Sequence, residues 1–243
     1  MPNVVLVTGA ARRIGAACAR MLHAAGYNVV LHFKSSESDA IALCEALNNL
    51  RYASAVSVKA DLQSVTDVER LATVAASTWG GLDALVNSAS VFYPQPVGKV
   101  VEQDWEQVFD TNLKAPFFLS QALLPTLRAR RGCIVNIADI HAETGLPGFP
   151  VYSIAKAGLL AMTRCLAKDM APEVRVNAVS PGAILWPEHG GSEAERAAIL
   201  SKIALGRQGE ADDIAKAVKF LIQDAGYITG QTINVDGGRS LYR

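Results

Sequence analysis

The sequence predicts an α/β fold: one Rossmann-type domain, a doubly wound parallel sheet with helices on both faces. Two observations carry that prediction. Short β-branched runs alternate with segments of helical period from the N-terminus onward. The runs are also too apolar to face water on either side, which suits parallel strands covered by helices. Right-handed crossovers then favour the doubly wound arrangement.

Taken in order, Val4–Val7 reads as the first strand, Thr8–Gly15 as a turn, and Ile14–Ala25 as a helix stopped by Gly26. Asn28–Phe33 is the second strand, Glu37–Leu50 a helix and Ala53–Lys59 the third strand. Ser64–Thr78 is a helix with Ser64 as its N-cap, broken by Gly80-Gly81, and Leu82–Asn87 is the fourth strand. Helices near Glu102–Asp110 and Asn112–Arg130 precede a strand at Cys133–Ile137. A helix from Tyr152 to about Met170 follows, then a strand at Val174–Val179 and an irregular stretch from Pro181-Gly182 to about Gly209. Asp212–Ile222 is the last helix and Thr232–Val235 the last strand. No repeat, low-complexity tract or linker interrupts the chain, so residues 1–243 are expected to form one domain.

Composition narrows the function classes. A chain of 243 residues, half of them hydrophobic, has a large core within reach. Formal net charge is zero, with 23 basic and 23 acidic residues, which argues against a nucleic-acid groove or a partner membrane. The one basic cluster, Arg128-Ala129-Arg130-Arg131, suits the solvated end of a helix. Cys18, Cys44, Cys133 and Cys165 form no C-x-x-C pair and are expected as reduced thiols, not a zinc site or disulfide framework. No histidine–carboxylate group has metal-ligand spacing, so no metal is expected. Without a signal-type leader or a run of about 18 apolar residues, a soluble cytoplasmic protein is expected.

Ligands of open α/β sheets bind at the carboxyl ends of the strands, so the residues there are the candidates. The first turn places Gly9, Arg12, Arg13 and Ile14 between a strand and a helix, the context a pyrophosphate site needs. The second strand ends in His32, Phe33, Lys34, Ser35 and Ser36, with no acidic residue before Glu37. A carboxylate there would hold the ribose 2′-hydroxyl of NAD. Lys34, the serines and Arg12 or Arg13 would instead hold a 2′-phosphate, so NADPH is the expected cofactor, against the alternative in which Glu37 takes the ribose. Asp61 and Leu62, Asn87, Ser88, Ala89 and Ser90, and Pro181 and Gly182 complete the strand-end set expected to contact it. Tyr152 and Lys156 are four apart on a helix and share a face, so the ammonium is expected to lower the phenol pKa. Asp139 is a third ionisable group beside them. His141 is close enough to act as a base but reads as a solvated loop residue.

These motifs together resemble the short-chain dehydrogenase/reductase family along the whole chain. The matching residues are Thr8-Gly9, Asp61, Asn87-Ser88-Ala89, Asn112, Tyr152-Ser-Ile-Ala-Lys156, Pro181-Gly182 and Asp236-Gly237-Gly238. The resemblance implies hydride transfer from nicotinamide, with Tyr and Lys acting beside an Asn and a Ser. It also implies that Asn112 keeps its helix open for a water-linked proton path and that Lys156 holds the nicotinamide ribose. Two positions depart: Arg13 stands at a usual glycine, and Asp139 at the usual serine. Both departures are similar to the pteridine reductase branch, including its bacterial dihydropterin reductases. That likeness implies Asp139, Tyr152, Lys156 and Asn112 as catalytic residues. It implies pterin contacts from Arg13, Ser90, Phe92, Asp139, Tyr152 and Trp186, a loop at about 183–209 over the substrate, a homotetramer, and Arg243 reaching a neighbour's pocket. His189, in the same loop, is a weaker candidate. The chemistry agrees. An ionised Asp139 cannot donate to a ketone oxygen, whereas a flat pterin offers an amidine-like edge of donors and a face for Phe92. The expected reaction is NADPH-dependent reduction of a dihydropterin such as dihydrobiopterin or dihydromonapterin, with dihydrofolate a further candidate substrate. The rivals are a carbonyl reductase acting on 3-oxoacyl thioesters and a non-catalytic NADPH-binding regulator.

Overall fold

Among the described residues, β1 (Val4–Val7), β2 (Asn28–Phe33), β3 (Ala55–Lys59), β4 (Ala84–Asn87), β5 (Cys133–Ile137), β6 (Arg175–Pro181) and β7 (Thr232–Val235) form one sheet. All pairings are parallel, in the order β3-β2-β1-β4-β5-β6-β7. The structure is a computed structural model and describes residues 2–184 and 192–242. Strand order reverses between β1 and β4, where Val7 lies opposite Val86. That reversal is where such sheets bind ligands.

The helices are α1 (Arg13–Ala24), α2 (Glu37–Leu50), α3 (Val65–Ser77), α4 (Glu102–Phe109), α5 (Ala115–Arg130), α6 (His141–Thr144), α7 (Pro150–Asp169), α8 (Glu193–Leu200) and α9 (Ala211–Gln223). Successive strand residues point to opposite faces, so β1 feeds two cores. Val5 and Val7 pack with Leu22 of α1, Leu43 of α2 and Ile214 of α9. Val4 and Leu6 pack with Leu71 of α3, Leu119 of α5 and Leu159 of α7. Both faces are covered, which is why the strand sequences are continuously apolar.

Four local differences from the sequence expectation have physical causes. The helix expected from Tyr152 begins at Pro150, whose missing N–H and fixed φ suit a first turn. The break expected at Thr111 is instead a π-helical turn, Asp110–Lys114, leading from α4 into α5. Asn112 in that turn turns its side chain onto Val91, accepting from its N–H at 2.8 Å and donating to its carbonyl at 3.0 Å. The stretch expected to be irregular contains α8, started by a capping box in which Ser192 accepts from the Glu195 N–H and Glu195 accepts from the Ser192 N–H. The one-turn α6 was also not expected.

A buried polar chain crosses the apolar layer. Asn87 Nδ2 donates to Asn136 Oδ1 at 2.8 Å, and Asn136 Nδ2 donates to Thr163 Oγ1 at 2.9 Å. Thr163 in turn donates to the Leu159 carbonyl at 2.8 Å, so β4, β5 and α7 are linked through side chains. Replacing the central residue, Asn136→Ala, removes one hydrogen bond from each of two buried partners. It is expected to lower unfolding free energy by about 2–4 kcal/mol, read from urea denaturation.

Candidate active site

The first turn is built for close approach. Gly9 has φ +62°, and a Cβ there would come within 2.9 Å of the Ala89 Cα. A Cβ on Gly15 would strike the Gly9 carbonyl. The Thr8 hydroxyl oxygen accepts from the N–H groups of Ser88 and Ala89 at 2.9 and 3.0 Å, tying the turn to the end of β4. Arg12, the residue before α1, makes no side-chain cap, so nothing from its own side chain covers the helix N-terminus. Arg13 has φ +53°, the left-handed region. This explains why glycine is usual there, since a side chain in that conformation costs about 1–2 kcal/mol. Ile14 is half-buried at the start of α1.

Beyond β2 and β3 lies a cleft of about 530 Å³ lined by Lys34, Lys59, Ala60, Asp61, Asp67 and Arg70. The candidate phosphate-binding cations are held by carboxylates: Lys34 by Asp61 at 2.9 Å and Arg12 by Asp39 at 2.7 Å. Glu37, the alternative ribose partner, is paired with Lys59 at 3.2 Å. Ser35 is exposed and Ser36 half-buried at the lip of this region.

Several residues expected to contact the cofactor have buried side chains. His32 is 2% exposed, with both ring nitrogens engaged. Nδ1 accepts from the Gly9 N–H at 3.1 Å, and Nε2 donates to the Ala60 carbonyl at 3.1 Å. Burial drives its pKa down to about 4, so the ring is a neutral strut beneath the turn. Phe33 and Leu62 are also buried, and the Asn87 side chain belongs to the polar chain inside the sheet. Pro181 and Gly182 end β6; the Pro181 carbonyl accepts from Ile140 and the Gly182 N–H donates to Val235. Trp186, His189 and Arg243 lie outside the described residues.

At the end of β5 three of the four expected catalytic residues, Asp139, Tyr152 and Lys156, come together. The Tyr152 hydroxyl donates to Asp139 Oδ2 at 2.9 Å, and Lys156 Nζ donates to the Ile137 carbonyl at 2.8 Å. The ammonium lies 5.7 Å from the centroid of the Tyr152 ring. The Tyr152 phenol is shifted in the direction opposite to the one expected. Burial, then the charge of Asp139 and its hydrogen bond, push the phenol well above its ordinary pKa, opposed by the Ser90 hydroxyl. The phenol is a protonated donor, not a ready phenolate. Burial brings Lys156 down to about 8, against the attraction of Asp139. Burial also pushes Asp139 up, but hydrogen bonds from the His141 ring and N–H, the charge of His141 and the Tyr152 hydroxyl outweigh it and hold the carboxyl below its usual value.

An aromatic wall adjoins the phenol. Phe92 is 50% exposed, so it is not a core residue. It stacks on Phe149 with centroids 4.5 Å apart and meets Tyr152 edge-on at 4.8 Å. Phe149 was missed in the sequence, although it lies three residues before Tyr152 and thus one helical turn away. Ser90 is exposed beside them.

Comparison with known proteins identifies the scaffold. A family model described as enoyl-(acyl carrier protein) reductase matches residues 9–240. The 3-oxoacyl-(acyl-carrier-protein) reductase FabG of Staphylococcus aureus is 36% identical over 242 residues, covering 98% of each chain. The chain belongs to the short-chain dehydrogenase/reductase family. It is an oxidoreductase by that membership. A 3-oxoacyl-(acyl-carrier-protein) reductase of Synechocystis is also 36% identical over 245 residues, covering 99% of this chain and 98% of the relative. A solved structure of a blue fluorescent protein from a metagenomic library, in complex with NADPH, superposes with a TM-score of 0.91 at 34% identity. The match covers 98% of this chain and 97% of that one. Among the described residues, no helix is long and apolar enough to cross a membrane, and no His, Cys, Asp and Glu group could hold a metal.

The strut under the turn has a measurable signature. Unfolding returns His32 to an ordinary pKa near 6.5, above its folded value of about 4. Its contribution is therefore intact above pH 6.5 and is lost as pH falls toward 4, when the unfolded chain takes up the proton first. The loss is expected to approach about 3 kcal/mol at pH 4. Urea titrations of wild type and His32→Gln between pH 7 and 4 should show a shallower decline in the variant.

Proposed function

We propose that this enzyme is an NADPH-dependent pteridine reductase acting on a dihydropterin such as dihydrobiopterin or dihydromonapterin. One observation carries the proposal: Asp139, an ionised hydrogen-bond acceptor, stands 2.9 Å from the Tyr152 hydroxyl. The family resemblance puts a serine donor at that position. A carboxylate cannot donate to a ketone oxygen and repels a forming alkoxide. It does accept from the N–H groups along a pterin's amidine-like edge. The half-exposed ring of Phe92 adds an apolar surface for a flat heterocycle.

The residues present fit the cofactor. The turn of Gly9 and Gly15 admits a pyrophosphate against the N-terminus of α1, and Arg12 and Lys34 flank the place for a 2′-phosphate. The NADPH bound to the superposable solved relative supports the same choice. When bound, NADPH supplies the hydride, to C7 or C6 according to the oxidation level of the pterin. Tyr152 holds its proton firmly and gives it to the adjacent ring nitrogen, with Asp139 assisting where a fully oxidised pterin is reduced at N8. Lys156 keeps positive charge beside the phenolate left behind and holds the nicotinamide ribose. Asn112 fixes the loop at Val91 and keeps the helix open at the π-turn. The protein works as a homotetramer.

Reduction of 3-oxoacyl thioesters is the second reading, and the relatives from Staphylococcus and Synechocystis favour it over the first. Both readings use Tyr152 as the proton donor and differ in what faces Asp139.

The deciding experiment follows NADPH and NADH oxidation with dihydrobiopterin, dihydromonapterin, dihydrofolate and an acetoacetyl thioester side by side. Turnover of a dihydropterin with NADPH, and little with the thioester, is the expected result. Turnover of the thioester alone overturns the pterin assignment, and no turnover on any of them indicates a binding protein. In the active pairing, Tyr152→Phe should lower kcat by about 10²–10⁴-fold while NADPH binding stays near wild type.

A further inference from the structure

His141 read as a solvated loop residue in the sequence, but its side chain is only 18% exposed and faces Asp139. Both oxygens of that carboxylate are engaged, and unequally. Oδ1 accepts twice from one residue: from the His141 main-chain N–H at 2.8 Å and from the ring at Nδ1, 2.7 Å away. Oδ2 accepts once, from the Tyr152 hydroxyl at 2.9 Å. Imidazole, carboxylate and phenol therefore stand in a row, with the carboxylate in the middle.

The arrangement has a local cause. Asp139 accepts from the first N–H of α6, as a short polar side chain does when it starts a turn. That turn carries the His141 ring back over Oδ1. A ring nitrogen facing a carboxylate is the protonated one, so Nδ1 donates. Two donors from a single residue fix the plane of the carboxylate and leave Oδ2 as the oxygen available to the phenol.

We propose that His141 is a positioning residue for the reduction: it holds the Asp139 carboxylate ionised, with Oδ2 turned to Tyr152, and so keeps the phenol in place as a protonated donor. This rests on the roles assigned above to Asp139 and Tyr152. It adds a specificity device, because the acceptor that distinguishes this site from a serine-bearing one depends on an imidazole two residues along. The titratable and charged groups around the carboxylate are His141 on α6 and Tyr152 and Lys156 on α7. From β6 the Pro181 carbonyl binds Ile140, and from the β4 loop the Ser90 hydroxyl acts on Tyr152.

Three variants test the assignment: His141→Ala, His141→Asn and His141→Gln. An Asn amide nitrogen takes the place of Nδ1 on the same branch and donates without titrating; a Gln nitrogen lies one bond further out. On the dihydropterin, His141→Ala should lower kcat about ten- to hundredfold with NADPH KM unchanged, and His141→Asn should restore most of it. Removing the ring donor leaves the partly buried Asp139 with fewer bonds to its charged form, so its carboxyl protonates at higher pH. The acidic limb of the kcat profile should move up in His141→Ala and stay in place in His141→Asn. A merely structural role would lower activity equally at every pH. Wild-type kcat and limb in His141→Ala, or an Asn variant as impaired as Ala, overturns the proposal. If the Ala variant does not fold, the remaining pair decides: an active Asn beside an impaired Gln supports it, and equal activities overturn it. If wild type reduces only the thioester, the pterin assignment falls by itself. The same variants are then read on the thioester, where Tyr152 is again the donor, and an unmoved acidic limb overturns the role of His141.

Discussion

A partly buried negative charge has to be compensated where it stands, and the site is organised around that requirement at Asp139. Burial alone would push the carboxyl toward its neutral form. Three donors from two residues prevent this, and each comes from a neighbouring piece of structure: α6 supplies the His141 N–H and ring, and α7 supplies the Tyr152 hydroxyl. The consequences pass outward. Because Tyr152 faces an anion while buried, its phenol stays protonated but is a weaker acid than a free phenol. Because the same anion is near, Lys156 retains more of its charge than its burial would otherwise allow.

The position of that carboxylate is in turn a property of the sheet. All strands run parallel, so every strand end reaches the same edge, and the order reversal between β1 and β4 concentrates them. The edge is held by polar groups bonded to one another and to the main chain. His32 supports the Gly9 turn from below, and Thr8 ties that turn to Ser88 and Ala89. Asn112 pins the loop at Val91, and Asn136 links Asn87 to α7. A site built on such supports keeps its geometry without relying on exposed loops.

Strand and helix positions were readable because burial on both faces leaves continuous apolar runs and the helices have clear periods; β2 and α2 fall where expected to the residue. Residues whose role depends on local chemistry were readable only in part. The α8 capping box, Ser192 to Glu195, was present as a motif but lay in a stretch judged irregular. His32 was placed at the ligand because it ends a strand, yet pleating turned it inward. His141 and Phe149 carry no motif of their own. Their importance comes from turns that bring them onto Asp139 and Phe92, and neighbours in space are not visible along the chain.

The relatives are named for 3-oxoacyl reduction whereas the pterin proposal rests on the site, and the difference follows from what each measures. Identity of 36% over 98% of the chain is counted over every aligned position, and the residues of the two cores far outnumber the few groups around Tyr152. The core positions make a hydride-transfer scaffold and are indifferent to what is reduced. Substrate choice rests on the few groups that face the reacting ring. There one exchange, donor to acceptor, reverses which hydrogen-bonding partner is tolerated, because a buried site rejects a ligand that leaves its polar groups unmatched. On the pterin proposal, an ionised Asp139 held by His141 would bear more on the substrate than the shared core does.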